Sequence, residues 1–247
     1  MGEVLQKPAV LVPKTLEELH SALRAGANVI GGGVGLMSRA MPPELAELNV
    51  DLSAMGLGAV EAHAAGAMVP LSRLAATDLA RHRAVAEALE VTATPALRRL
   101  ITVGGVLGAR QVRADLVPAL AVHDAQVTVL RADAPVPVRI PVLDLWDVDV
   151  PFAVLSIELG EAGPSRYRRV AGHQPIAPSV ASVAVRRRAG GWSVCVGAAM
   201  TRPQLVDPRR IPPVAAFRTD HRGSAEYRHH LVGVLVRDLM TEIEEPT

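Results

Sequence analysis

Residues 102–125 read TVGGVLGARQVRADLVPALAVHDA. A Gly-Gly pair, Gly104-Gly105, is followed by a polar link, then Asp115, then an apolar run holding Leu116, Ala119 and Leu120. Apolar residues three and four apart behind an aspartate are the pattern of a helix with one apolar face and a capping side chain before it. The glycines ahead of it have no Cβ, so their backbone N–H groups can approach an anion closely. Beyond the helix, residues 126–130 and 136–140 read as a hairpin around 131–135.

A second glycine run lies about 70 residues upstream: Ile30, Gly31, Gly32, Gly33, Val34, Gly35 and Leu36. No lysine follows its last glycine, which excludes a P-loop, and the third glycine position of a dinucleotide fingerprint is Ser38. Each run alone reads as a turn; the two together suit a clamp on both sides of a pyrophosphate. Ahead of the first run, residues 9–12 read as a strand and Thr15 with Glu18 as a capping box. Leu16, Leu19 and Leu23 mark a helical face, Gly26 a C-cap, and residues 28–30 a second strand. Strand, helix and strand in close succession make a small βαβ unit, hence parallel pairing.

The remaining chain carries weaker patterns. Residues 59–63 and 66–68 suit a strand pair, and helical patterns follow at Leu71/Leu74, at Val85/Leu89 and from Thr94-Pro95. Residues 179–185 and 192–196 read as strands joined by 186–191, where Arg186, Arg187 and Arg188 make a solvated turn. Trp192, Val194 and Val196 alternate with Ser193, Cys195 and Gly197, the period of a half-buried strand. A closing helix carries an apolar stripe of Tyr227, Leu231, Val234, Leu235 and Leu239.

Composition narrows the function classes. The 247 residues carry 26 Lys+Arg against 25 Asp+Glu, a net charge of +1, so nothing points to nucleic acid or to an anionic membrane. A single cysteine, Cys195, rules out a disulfide framework and any cysteine-ligated zinc or iron–sulfur centre held by this chain alone. No apolar run approaches the length of a membrane span, and residues 1–7 have no signal-peptide pattern; the expected location is the cytoplasm. The eight histidines show no metal-ligand spacing and no Gly-x-Ser-x-Gly elbow is present, so neither a metal site nor a serine hydrolase is expected.

Taken in order, these segments resemble the FAD-binding medium subunit of molybdenum hydroxylases, the xanthine dehydrogenase and carbon monoxide dehydrogenase family. The resemblance rests on Val12-Pro13-Lys14-Thr15-Leu16-Glu17-Glu18-Leu19, on Ile30-Gly31-Gly32-Gly33, on Thr102-Val103-Gly104-Gly105, on Ala114-Asp115-Leu116-Val117-Pro118-Ala119-Leu120 with Asp124-Ala125, and on Ser224-Ala225-Glu226-Tyr227-Arg228. It covers roughly residues 8–240.

The resemblance implies an α+β flavoprotein of the PCMH-type FAD-binding fold. Its parts would be a small α/β subdomain (1–57), a larger α+β subdomain (58–165) and a C-terminal domain of antiparallel sheet and helices (166–247). FAD would lie between the first two, its pyrophosphate held by the backbone amides of both glycine loops. The implied cofactor-binding residues are Ile30, Gly31, Gly32, Gly33, Val34, Gly35, Leu36, Thr102, Val103, Gly104, Gly105, Val106 and Asp115; no side chain need act as acid or base. Asp115 has a second reading as a plain helix N-cap, and Thr102 as a strand end. Tyr227 reads either as reaching the cofactor or as packing.

Several positions depart from the family pattern. Val106 stands for an asparagine, Gly33 and Val34 for a side-chain donor and an Asp or Ser, and Arg98-Arg99 for an Arg-Asn pair. The implied function is electron transfer from a partner's iron–sulfur centre through FAD to an outside acceptor. It would require a molybdenum-bearing large subunit and a two-iron, two-sulfur small subunit. The alternatives are a free-standing FAD-dependent oxidoreductase and a flavin-free scaffold of the same fold, the latter motivated by Val34 and Val106.

Overall fold

A computed structural model of the chain describes residues 9–35, 47–172 and 177–245. Leu36, one of the expected site residues, lies outside them. The architecture is α+β, built on three sheets.

The first sheet holds β1 (Ala9–Leu11), β2 (Asn28–Ile30) and β3 (Leu48–Asp51), with helix α1 (Leu16–Arg24) between β1 and β2. Thr15 Oγ1 accepts the Glu18 N–H at 3.2 Å, while the Glu18 carboxylate accepts from Lys14 N at 2.7 Å, one residue before the usual box partner. Helix α1 buries Leu19, Ala22 and Leu23; Leu16, counted on that face from the sequence, is exposed. The strand order is β1-β3-β2, all parallel. β1 and β2 are therefore not paired to each other as expected. β3, a four-residue strand with no alternation to announce it, runs between them.

The second sheet is antiparallel, in the order β4-β7-β5-β6, from β4 (Ala64–Gly66), β5 (Gln126–Arg131), β6 (Ala134–Pro141) and β7 (Phe152–Glu158). The β5–β6 hairpin matches the sequence reading. The expected pair at 59–63 and 66–68 reduces to one bridge, Val60 to Ala65, because Ala64–Gly66 pairs with β7 instead. Between β4 and β5 lie α2 (Leu71–Leu74), α3 (Arg83–Val91), α4 (Pro95–Arg98), α5 (Val103–Gly108) and α6 (Leu116–Val122). Thr94 caps α4 by accepting from Leu97 N at 3.3 Å. Arg98 closes the end of α3, donating to the carbonyls of Leu89 (2.9 Å) and Glu90 (2.7 Å), which have no partner within the helix. The second glycine stretch is no open loop: Val103–Gly108 is helical, with Thr102 as its N-cap.

The third sheet is an antiparallel meander of β8 (Ser165–Ala171), β9 (Ser179–Arg188), β10 (Gly191–Gly197) and β11 (Gln204–Val206), followed by α7 (Ala225–Glu244). Val183, Val185, Val194 and Val196 pack with Val232, Leu235, Val236 and Leu239 of α7. The opposite face, with Tyr167, Ala184 and Cys195, joins the main core with α3 and α6. β10 is thus buried on both faces, not half-buried, because α6, every residue of which is buried, covers the second face.

Two further expectations are corrected. Arg186–Arg188 belongs to β9 rather than to a solvated turn. Arg186 and Arg188 bond the Asp124 carboxylate at 3.1 and 2.6 Å, and the Arg187 guanidinium sits 4.9 Å from the Trp192 ring centroid. The buried stripe of α7 is Arg228, Val232, Leu235, Val236 and Leu239, so Tyr227 is 46% exposed and packs little, while the charged Arg228 takes a core position.

Candidate functional site

A cleft of about 1170 Å³ opens among the described residues. It is walled by residues 26–35, by Thr102, Gly104–Val106 and the link to Asp115, and by Phe152 and Arg169 from the two later sheets. The two glycine stretches therefore meet in one cleft. Of the expected site residues, Ile30, Gly31, Gly32, Gly33, Val34, Gly35, Thr102, Gly104, Gly105, Val106 and Asp115 line it. Val103 does not; its side chain is fully buried in the main core.

Thr102 joins the stretches. Its Oγ1 accepts from Gly105 N at 3.1 Å, capping α5, and from Gly32 N at 3.4 Å. The chain-to-chain approach is close. A Cβ on Gly31 would stand 2.8 Å from Gly105 Cα, one on Gly32 1.6 Å from the Leu100 carbonyl oxygen, and one on Gly104 2.6 Å from Ala67 Cβ. These positions are glycine because protein meets protein there.

The same contacts occupy amides that the resemblance offered to a pyrophosphate. Gly104 N donates to Ala67 O at 2.8 Å, and Gly32 N and Gly105 N donate to Thr102. The amides of Gly33, Val34 and Gly35 bond to no other described residue. Gly33, at φ +72°, turns this segment; that left-handed conformation strains any other residue. The amides left over for an anion are thus those of the first turn.

Asp115 does not cap α6: its backbone is already helical and its side chain makes no capping bond. It accepts instead from Tyr167 Oη at 2.6 Å, from Ser179 Oγ at 2.5 Å and from Arg169 Nη1 at 3.3 Å. Burial pushes its carboxyl above the usual range, against the opposing pull of Ser179, Tyr167 and Arg169. Burial, together with Asp115, raises the Tyr167 phenol well above its ordinary value, so that it stays a donor. The network ties the start of α6 to β8 and β9 at the cleft wall.

The sequence reading missed three cleft cations, Arg110, Arg113 and Arg169. Arg110, at φ +45°, donates to the carbonyls of Leu145 (3.3 Å) and Val148 (2.6 Å), and its guanidinium lies 5.1 Å from the Phe152 ring centroid. The signal available was the pair Arg110 and Arg113 in the polar link directly before Asp115. Tyr227 is not among the lining residues.

The cleft has the size and chemistry for a dinucleotide cofactor. It exceeds the ~300–1,000 Å³ of ordinary small-molecule sites. It also has turn amides that bond no described residue at one side and apolar walls, Met68, Val106, Phe152 and Val154, at others.

Comparison with known proteins agrees. Residues 5–144 match the family described as the FAD binding domain in molybdopterin dehydrogenase. No curated protein sequence matches significantly. Among solved structures, quinoline 2-oxidoreductase from Pseudomonas putida 86 superposes with a TM-score of 0.75 at 18% identity, over 96% of each chain. Reconstituted CO dehydrogenase from Oligotropha carboxidovorans gives 0.77 at 18%, over 95% of this chain and 96% of that one. Carbon monoxide dehydrogenase from Hydrogenophaga pseudoflava, in a form lacking the Mo-pyranopterin moiety, gives 0.76 at 16%, with the same coverage. At these identities the superpositions speak for the fold.

Proposed function

The chain belongs to the family of FAD-binding domains of molybdopterin dehydrogenases, and from that premise we propose that it binds FAD in the cleft and works as an electron-transfer subunit. The observation that carries the reading is the junction at Thr102, which closes two glycine stretches 70 residues apart into one cradle. The cradle is formed by residues 30–35, 102, 104–106 and Asp115. Its diphosphate donors are the amides of Gly33, Val34 and Gly35, not those of Gly32, Gly104 and Gly105. Met68, Val106, Phe152 and Val154 keep water from the ring system, and Thr102, its oxygen already accepting two N–H groups, still has a proton to donate. FAD, when bound, supplies the redox chemistry, taking up and releasing electrons; the chain supplies binding, orientation and tuning.

The partners in this reading are a molybdenum-bearing large subunit and a two-iron, two-sulfur small subunit. The final acceptor lies outside the complex and the location is the cytoplasm. Among the described residues no helix is long and apolar enough to cross a membrane. The subdomains run 1–57, 58–165 and 166–247.

Purification with added FAD tests the reading. The protein should be yellow, with a flavin band near ~450 nm, and acid precipitation should release all flavin to the supernatant, since Cys195 is buried in the third sheet, away from the cleft. Co-purification with two further chains would establish the subunit role; isolation as a yellow single chain would select a free-standing flavoprotein. A flavin-free scaffold is the second reading, favoured by the engaged amides and by Val34 and Val106. A colourless protein with no response to an FAD titration would select it.

A further inference from the structure

Asp220, in the link before α7, is surrounded by more positive charge than it can neutralise. Its Oδ2 accepts from Arg113 Nη2 at 2.8 Å and from Arg218 Nη2 at 2.6 Å. Its Oδ1 accepts from Arg228 Nη2 at 2.6 Å and from the backbone N–H of Arg222 at 2.9 Å. Two hydrogen bonds to each oxygen use the capacity of a carboxylate. Among the described residues, Arg113, Arg218 and Arg228 form ion pairs with no carboxylate other than Asp220.

Donors are left over. Arg113 Nε and Arg222 Nη1 are buried without a hydrogen-bond partner among the described residues. Burial, and then the charges of Arg218 and Arg222, hold the Arg113 guanidinium below its ordinary pKa in spite of Asp220. Buried, unpaired donors on a charged group are costly, and a planar guanidinium fork is shaped to repay that cost with an oxyanion. Four arginines on one aspartate leave three positive charges, a better match to a multiply charged phosphate group than to a single carboxylate. Arg113 opens on the cleft, so a ligand lying there can reach it.

We propose that Arg113, backed by Arg218 and Arg222, forms a separate oxyanion site where the cleft meets the segment carrying Asp220, and that it takes a phosphate or diphosphate group. Its donors are distinct from the turn amides of Gly33–Gly35. The occupant is either the diphosphate of FAD, held by these arginines as well as by the turn amides, or the phosphate of a second ligand bound beside it. The site stands whether or not the chain binds FAD.

Pyrophosphate and the full chain, stripped of flavin, make the test. Melting temperature and titration calorimetry are followed against chloride at matched ionic strength, in the parent and in the Arg113→Gln and Arg222→Gln variants. The parent should gain melting temperature saturably with pyrophosphate. Both variants should bind it roughly tenfold or more weakly. In chloride, Arg222→Gln should melt no lower than the parent, because a repelling charge has gone. Should Arg113→Gln not fold, Arg222→Gln, whose guanidinium pairs with no described carboxylate, decides alone. A parent that responds no more to pyrophosphate than to chloride overturns the proposal, as do variants that respond like the parent. The same titration on FAD-loaded protein separates the sources. If FAD is the occupant, the pyrophosphate response disappears and both variants hold FAD more weakly. If a second ligand is, the response survives and FAD binds the variants as it binds the parent. A parent that takes no FAD yet responds to pyrophosphate overturns the FAD reading and leaves this site in place.

Discussion

At the scale of single residues, the decisive groups are buried polar ones that periodicity conceals. Arg228 is fully buried, donating to the carbonyls of Val180 and Ala198 as well as to Asp220. Arg228→Met removes one partner of a buried ion pair and strands two carbonyls. It should destabilise the chain by roughly 3 kcal/mol, read from the urea midpoint, even though methionine suits an apolar helix face better. A second buried group titrates in an accessible range. Burial, then the charges of His82 and Arg186, hold His123 down to about 3, and its Nε2 lies 3.1 Å from Ser165 Oγ. In the unfolded chain the same imidazole titrates near ~6.5. Between these values the unfolded state binds a proton that the folded state refuses. Stability from this group is therefore complete above about pH 6.5 and declines toward pH 3, by up to ~1.4 kcal/mol per pH unit. His123→Gln should flatten that decline between pH 7 and 5; equal slopes in both proteins would refute the assignment. Neither residue was legible as special, because a sequence shows one arginine or histidine much like the next. Thr15, Thr94 and Asp115 were legible as boundary residues by their places ahead of apolar runs, and only Asp115 turned out to serve another purpose.

At the scale of elements, patterns with a strong period were readable and short ones were not. Helices α1, α3 and α7 and the hairpin β5–β6 stand out through spacing and caps. β3, β7 and β8 do not: β3 has four residues, β7 is almost continuously apolar, and β8 alternates arginines with inward groups. The two inner strands of the third sheet defeated the two-face rule because α6 and α7 cover both sides, so β9 and β10 lack a polar face to alternate with. The glycine stretches were legible as a joint site, but the reason for each glycine was not. Gly32→Val and Gly104→Val press side chains into the Leu100 carbonyl and Ala67, and should lower the melting temperature by several degrees without any ligand, overpacking costing ~1–3 kcal/mol and each kcal/mol about 2–4 °C. Gly33→Val differs. No described atom lies within 4 Å of its Cβ position, but φ +72° resists a β-branched residue. It should distort the turn amides and weaken FAD binding at least ~10-fold, while the melting temperature without FAD falls by no more than the few degrees that a strain of ~1–2 kcal/mol implies. Undiminished FAD affinity in that variant would move the diphosphate away from this turn.

At the scale of the whole molecule, the three sheets are joined by cores that ignore the sequence segments. Tyr167, Ala184 and Cys195 of the third sheet belong to the main core, and Asp124 at the end of α6 holds Arg186 and Arg188 of β9. A fragment of residues 166–247 would expose that face to water. It should fail to show a cooperative thermal transition, whereas the full chain melts in one step; a fragment that folds on its own would show the contact to be dispensable. The first unit has a comparable dependence, and its consequence is one of time. The inward face of α1, Leu19 and Leu23, is closed by Leu130, Ala153 and Leu155. During synthesis α1 leaves the ribosome long before those residues do. At about 5–20 residues per second the roughly 105–130 intervening residues take some 5–26 s. β1 and β2 wait a shorter time, for the roughly 20 residues that separate β2 from β3, with which each pairs. Until Leu155 emerges the nascent chain presents the apolar face of α1, which makes this segment the place where a holding chaperone should crosslink, and makes codon speed between residues 51 and 155 a determinant of yield.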